Sequence, residues 1–479
     1  MIISNYFGRI FSLSCIRAYS SSVKPTKQTN EEIPAYGGLS FKEVEEKRHK
    51  FLSPSLQTYF FFPENPFYLT RARMQYIYDA NDTRYVDLTG QNTSISVGHN
   101  HPRVVAAIKR QMESVVHCST MFYNESPVLL AEQLVATVPN ISNSKEDWVV
   151  HLVSSGSEAV DLAIMLARAY TGNFDVLALR SSYHGLLSTP MGLTGLNTCK
   201  QNIAGGFGVK HCMNPDMFRG QFAGDPQAPD KYAQDVRDVI QYSTPGKVAA
   251  FIFEPVIMVG GLHPLPQGYL PKACEYVREA GGLIISDEVQ TGNGRPGSHF
   301  WAVEKYGVQP DIIVTGKGLS NGLPIGAVMM RREVAESMAH KVFFSTYGSN
   351  PTVCAAATEV MRILREDKTV SHITNVAELF LESFLRIQQK YPSIIGDVRA
   401  LGLLLALDVV KDPVSRQPDR ESAQKLLTLI RERGVIMTTG GLGKNVLRMN
   451  PPLCVTPEDV KLTENAILES IETHYGKSL

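Results

Sequence analysis

The stretch Leu283-Ile284-Ile285-Ser286-Asp287-Glu288-Val289-Gln290 is a short apolar run that stops abruptly in polar residues. A brief run with no polar alternation reads as a strand buried on both faces. The same pattern recurs along the middle of the chain. Trp148–Val153 runs into Ser154-Ser155-Gly156-Ser157-Glu158-Ala159, and Val176–Leu179 into Arg180-Ser181-Ser182-Tyr183-His184-Gly185. Ala249–Phe253 meets Glu254, and Ile312–Val314 meets Thr315-Gly316-Lys317-Gly318. Amphipathic helices are expected at Ser157–Tyr170, Gly268–Ala280 and Val353–Arg365. Strands alternating with helices imply βαβ units, a mostly parallel sheet and an α/β fold class. Around Gln417 the pattern shifts to charged helices separated by Pro and Gly, the mark of a second, smaller α+β layer.

Composition narrows the function classes. The 479 residues carry 47 Lys+Arg against 47 Asp+Glu, a formal net charge of zero. That balance argues against a general nucleic-acid binder held by phosphate attraction. The longest uncharged apolar run, Ala400 to Leu407, is far short of the ~18 residues that span a bilayer. The seven cysteines are scattered and form no CxxC pair, which disfavours a disulfide framework and a structural zinc site and fits a reducing compartment. His99 and His101 resemble a metal pair only superficially, and a loop role suits their spacing better. The first thirty residues contain Arg9, Arg17, Lys24, Lys27 and six serines, with no acidic residue before Glu31. Basic, serine-rich and amphipathic, residues 1–22 read as a mitochondrial transit peptide, and matrix localisation follows from that. An ordinary polar tail is the plainer alternative.

In open parallel sheets, ligands bind in the crevice beyond the carboxyl ends of the strands. Five strand ends would therefore bring Gly156, Ser157, Tyr183, Glu254, Asp287, Gln290 and Lys317 to one site. A Gly-Ser turn opening a helix presents free N–H groups and a positive dipole end, which cradle a phosphate. Tyr183 can stack on a flat ring, and Asp287 can hold a pyridinium nitrogen protonated. Lys317, flanked by glycines, can form a Schiff base if its environment lowers its pKa. Together these describe a pyridoxal phosphate site. Singly each has a plain reading: a helix N-cap at Ser157, a solvated Asp287–Glu288 pair, a surface Lys317 and a structural His184.

The run Ser286-Asp287-Glu288-Val289-Gln290-Thr291-Gly292, then Gly294-Arg295, then Lys317-Gly318 near Asn321-Gly322, resembles the signature of class III pyridoxal-phosphate aminotransferases. The blocks SSGSEA, SYHG and TYGSNP follow in that family's order, and the likeness spans roughly residues 45 to 475. It implies fold type I. That fold has a large domain, here 97–345, with a seven-stranded type of mostly parallel sheet flanked by helices. Its small α+β domain comes from both chain ends, here 23–96 and 346–479. It also implies pyridoxal 5′-phosphate as cofactor and a homodimer with shared active sites, without metal, nucleic acid or membrane insertion. By the same resemblance Lys317 carries the cofactor as a Schiff base and shuttles the proton. Asp287 bonds the ring nitrogen, Val289 and Tyr183 sandwich the ring, and Gln290 bonds the phenolic oxygen. Gly156 and Ser157 hold the phosphate with Thr346 from the other subunit, and Arg448 grips the substrate carboxylate.

Two departures from the family bear on substrate. Leu186 stands where many γ-aminobutyrate enzymes have Arg. In Glu254-Pro255-Val256-Ile257-Met258-Val259-Gly260-Gly261, Val259 replaces the Glu that covers the carboxylate-binding Arg, and Ile257 replaces a Gln. The stretches Gly297 to Ile313 and Asn214 to Phe222 resemble the mitochondrial alanine–glyoxylate aminotransferase type. The expected activity is transfer of an amino group from alanine, or a small β-amino acid, to glyoxylate or pyruvate. The alternatives are another class III ω-amino acid transaminase, an amino-alcohol phosphate phospho-lyase on the same scaffold, and a binding protein that kept the fold.

Overall fold

Alternating side chains of the central strands feed two separate cores. Val176 and Ala178 pack on one face of the main sheet, Leu177 and Leu179 on the other. Ile284 and Ile285 divide in the same way, as the period of two in a strand requires. The computed structural model describes residues 37–56, 66–139, 147–201 and 206–476; the expected transit peptide, residues 1–22, lies outside them.

The main sheet has seven strands: β1 (Trp148–Val153), β2 (Val176–Leu179), β3 (Val209–Cys212), β4 (Ala250–Phe253), β5 (Leu283–Asp287), β6 (Ile312–Gly316) and β7 (Gly326–Arg331). Their order is β1-β7-β6-β5-β4-β2-β3. Strand β7 runs antiparallel to both neighbours, and the other adjacent pairs are parallel. Helix Gly156–Thr171 covers one face. Helices Ala228–Ser243, Tyr269–Glu279 and Pro351–Leu364 cover the other. The expected strands and helices are all present, with ends moved by at most two residues. Strands β3 and β7 were not expected. Val209-Lys210-His211-Cys212 carries two polar residues at an edge, and β7 follows β6 through a short connection whose only helical element is the single 3-10 turn Lys317–Ser320, with no amphipathic helix to mark the next strand.

The smaller unit is built on an antiparallel sheet of Ile395–Leu401, Leu404–Val409, Val446–Met449 and Thr438–Gly440, in that spatial order. It therefore begins ahead of the expected shift at Gln417. The Ala400–Leu407 run is the hairpin of this sheet. It turns at Gly402, whose φ is +58° and whose Cβ, if it had one, would lie 2.1 Å from the Arg295 carbonyl. Helices Asp367–Lys390, Arg420–Glu432 and Pro457–Tyr475 pack on it. Chain from before the main sheet joins this unit: Val86 lies in its core, and Val435–Ile436 pairs in parallel with Val86–Asp87. Helix Pro351–Leu364 gives Cys354, Ala357 and Met361 to the large core and Ala356, Val360 and Ile363 to the small one, so one helix binds the two units. No helix among the described residues is long and apolar enough to cross a membrane.

Candidate active site

A cavity of about 420 Å³ opens beyond the carboxyl ends of the parallel strands. Its walls include Gly156, Ser157, Tyr183, Glu254, Asp287, Val289, Gln290 and Lys317. The seven residues expected to converge do so, together with Val289.

Each arrives for a local reason. After β1 the chain turns into helix Gly156–Thr171, capped by the Ser155 hydroxyl accepting from the Glu158 N–H at 3.2 Å. Gly156 and Ser157 begin that helix, where N–H groups have no intrahelical acceptor. A Cβ on Gly156 would meet Val289 Cγ1 at 2.9 Å, so only glycine lets the turn approach that wall. Gly185, at φ +110°, faces Ser157 so closely that a Cβ would lie 2.3 Å from its Oγ.

Asp287 ends β5. Its Oδ2 accepts from His184 Nδ1 at 2.7 Å and its Oδ1 from the Val289 N–H at 3.1 Å. The neighbouring Glu288 turns to the opposite side, accepting from the Val303 N–H at 2.8 Å and from the Thr291 hydroxyl. Burial pushes its carboxyl up to about 7. The two acids are thus both buried with separate partners, which corrects the plain reading of a solvated pair. His184, read from sequence as structural, is the orienting partner of Asp287, and its Nε2 is buried without a partner among the described residues. The period of two along β5 could have told the acids apart, but the His184 contact spans 103 positions and has no local signal.

Lys317 follows β6 with φ +39°, a left-handed conformation costing a non-glycine residue about 1–2 kcal/mol. Its loop is pinned from outside. Ser96 Oγ donates to the Gly318 carbonyl at 2.6 Å, and Asn321 Oδ1 accepts from the Ser96 and Val97 N–H groups, both at 3.0 Å. Burial pulls the amine down to about 8, against the opposing pull of Asp287 and Glu254. Glu254 is buried, accepts from the Tyr183 N–H at 2.8 Å, and is pushed up to about 7 by that burial.

Two expected residues lie outside this wall. Arg448, on strand Val446–Met449, is buried, and burial lowers it to about 10. Its Nε and Nη1 have no partner among the described residues, and its charge reaches Lys317. Thr346 sits on an exposed segment and does not line the cavity. Gly322 of the family signature lines it, as do Ser94, Leu323, Pro324 and Ile325, which were not singled out from sequence. His99 donates to Asp87 at 2.9 Å, and no group of three metal-binding side chains occurs among the described residues.

The family pattern described as class III aminotransferases matches residues 62–471. The chain belongs to that family. This aminotransferase is 35% identical over 461 residues to the Arabidopsis thaliana protein named alanine–glyoxylate aminotransferase 2 homolog 2, mitochondrial, covering 95% of this chain and 94% of that one. It is 32% identical to human alanine–glyoxylate aminotransferase 2, mitochondrial, covering 97% and 93%. It is 34% identical to the Caenorhabditis elegans ethanolamine-phosphate phospho-lyase homolog 1, covering 90% and 92%. Among solved structures, a phospholyase from Arthrobacter in complex with phosphoethanolamine superposes with a TM-score of 0.81 at 30% identity, covering 90% of this chain and 99% of that one. The aminotransferase uses pyridoxal phosphate, and its cavity fits that group. A helix N-terminus, a lysine with a lowered pKa and a carboxylate oriented by a histidine share one space walled by Tyr183 and Val289.

Proposed function

We propose that this class III aminotransferase moves an amino group from alanine, or a small β-amino acid, to glyoxylate or pyruvate. The observation that carries the reading is the buried Arg448 guanidinium with two unpartnered nitrogens. A buried planar fork with free donors calls for a bidentate carboxylate. The names of the Arabidopsis and human relatives support the substrate class.

When bound, pyridoxal phosphate supplies an electron sink for the charge that develops at the substrate Cα. Gly156 and Ser157 hold its phosphate through helix N-terminal N–H groups. Asp287, with its carboxylate oriented by His184, keeps a proton on the ring nitrogen. Tyr183 and Val289, which wall the cavity, would confine the ring, and Gln290 would offer its side-chain amide to the phenolic oxygen. Lys317 binds the cofactor and, with its amine neutral in part near pH 8, takes and returns the proton at the substrate Cα. Arg448 orients the substrate by its carboxylate.

The distal side favours short substrates. Leu186 is half exposed and apolar, so a second carboxylate gains no charged partner from it, and burying one unpaired is costly. Val259 carries no charge that could neutralise Arg448 while a terminal amine enters. Alanine with glyoxylate should therefore outperform both glutamate with 2-oxoglutarate and ornithine with any acceptor in a screen of purified enzyme. A preference for 2-oxoglutarate over glyoxylate by about tenfold in kcat/KM, roughly 1.4 kcal/mol, would overturn this. The phospho-lyase reading rests on the nematode relative and the Arthrobacter structure. Release of phosphate from phosphoethanolamine without transamination of alanine would establish it instead.

The working unit is a homodimer in the mitochondrial matrix. Met121, Phe122 and Tyr123 are exposed apolar side chains, as are Phe344 and Tyr347. The two segments adjoin, with Asn350 Nδ2 donating to the Val116 carbonyl at 3.1 Å and the His117 and Tyr347 rings 5.1 Å apart. An exposed apolar patch of this kind marks an interface. Mitochondrial targeting rests on the acid-free N-terminus and on relatives named mitochondrial. A fluorescent fusion of the full chain should enter mitochondria, and one lacking residues 1–22 should stay in the cytosol; import of the shortened chain would refute it.

A further inference from the structure

Outside the residues that line the cofactor cavity, two arginines and an asparagine converge on one buried carboxylate. Asp408, on strand Leu404–Val409, accepts from Arg219 Nη1 at 2.6 Å and Nη2 at 2.5 Å. It also accepts from Arg399 Nη2 at 2.9 Å and from Asn445 Nδ2 at 2.6 Å. Arg399 Nη1 donates to Asp397 at 2.8 Å, so two arginines face two carboxylates. Such a group holds together only when complete, because removing one partner strands a buried charge.

The cluster joins the two units. Arg219 belongs to the large one: its own N–H and that of Phe218 donate to Asp216 Oδ1 at 3.0 and 2.8 Å. The Asp216 carbonyl accepts from Tyr232 of helix Ala228–Ser243 at 3.1 Å. Asp408 belongs to the small sheet, where it pairs with Val446 while Ala406 pairs with Arg448. Arg399 Nε donates to the Gly261 carbonyl at 3.1 Å. The turn before Gly261 is held a second time by the Gly441 N–H donating to the Val259 carbonyl at 3.0 Å. A Cβ on Gly440 would lie 3.4 Å from the Val259 carbonyl oxygen and 3.6 Å from Arg448 Cδ. Turn, bare glycine and arginine stem are therefore one packed layer. The turn continues the segment after β4 that begins with Glu254 in the cavity wall.

We propose that the Asp408 cluster is the positioning device for Arg448: Arg399 ties the small sheet to the Met258–Gly261 turn and Arg219 ties it to the Asp216–Gly220 segment of the large unit, together fixing the guanidinium relative to Lys317. Arg219, Arg399 and Asp408 are positioning residues, and none of them lines the cavity. The inference rests on Arg448 as the carboxylate grip. A carboxylate held even 1 Å out of place loses much of its productive binding.

The test compares Arg219→Gln, Arg219→Lys and Arg448→Gln in the holoenzyme. Arg219→Gln should raise KM for alanine and for glyoxylate by about tenfold, with kcat changed far less and the cofactor's visible spectrum unchanged. Arg219→Lys, which keeps the charge but loses the fork, should recover only part of that loss. It carries the same test if Arg219→Gln does not fold. Unchanged KM values, with or without a lowered melting temperature, would overturn the proposal, as would a KM rise accompanied by loss of cofactor absorbance. Raised KM in Arg448→Gln alone refutes only the positioning role. Unchanged KM in Arg448→Gln refutes the reading of Arg448 itself.

Discussion

Lys317 concentrates opposing demands in one residue. A strained φ of +39° aims it into a buried space, and that burial disfavours the charged amine, drawing it from 10.5 down to about 8. Below pH 8 the amine of the apoenzyme is protonated and a poor nucleophile; above it the neutral form dominates. The rate at which apoenzyme takes up pyridoxal phosphate should therefore rise as pH climbs through about 8 and level off above it, followed by visible absorbance. Lys317→Ala should show no such absorbance and lose nearly all turnover. A flat pH profile, or normal activity in Lys317→Ala, would refute the assignment. The glycines flanking Lys317 in sequence already marked a tight approach. A Cβ on Gly318 would come within 3.0 Å of the Thr93 carbonyl.

At the scale of elements, β5 shows what alternation does. Asp287 and Glu288 are adjacent, so they leave the strand end on opposite sides. One serves the cavity through His184, and the other ties Thr291 and Val303 into the core. Sequence alone left this pair as either functional or solvated, since the outcome depends on what each side packs against. The buried strands were legible because continuous apolar runs have few other uses. Strand β3 was not, because an edge position tolerates Lys210 and His211. The segment Phe218-Arg219-Gly220 had no reading from pattern at all. Its chemistry is a bidentate pair with a carboxylate 189 positions away.

For the whole molecule, the cavity of one chain leaves Thr346 unused and a patch around Tyr123 and Tyr347 bare. Both follow if a second copy covers the patch and receives Thr346 into its own site. Sedimentation should give a dimer. Thr346→Ala should weaken cofactor affinity, with the loss on the order of 1 kcal/mol expected for one hydrogen bond. A monomer of full activity would exclude shared sites. The amino-acid sequence by itself determined the α/β order and the group of residues at five strand ends, each a local pattern of period, turn and spacing, while the family was legible through the resemblance of its motifs. Only the tertiary structure decided that His184 orients Asp287, that Arg448 lies buried with donors to spare, and that Arg219 and Arg399 converge on Asp408. Those are contacts between distant segments, and their energies arise from burial and charge pairing that exist only once the chain has folded.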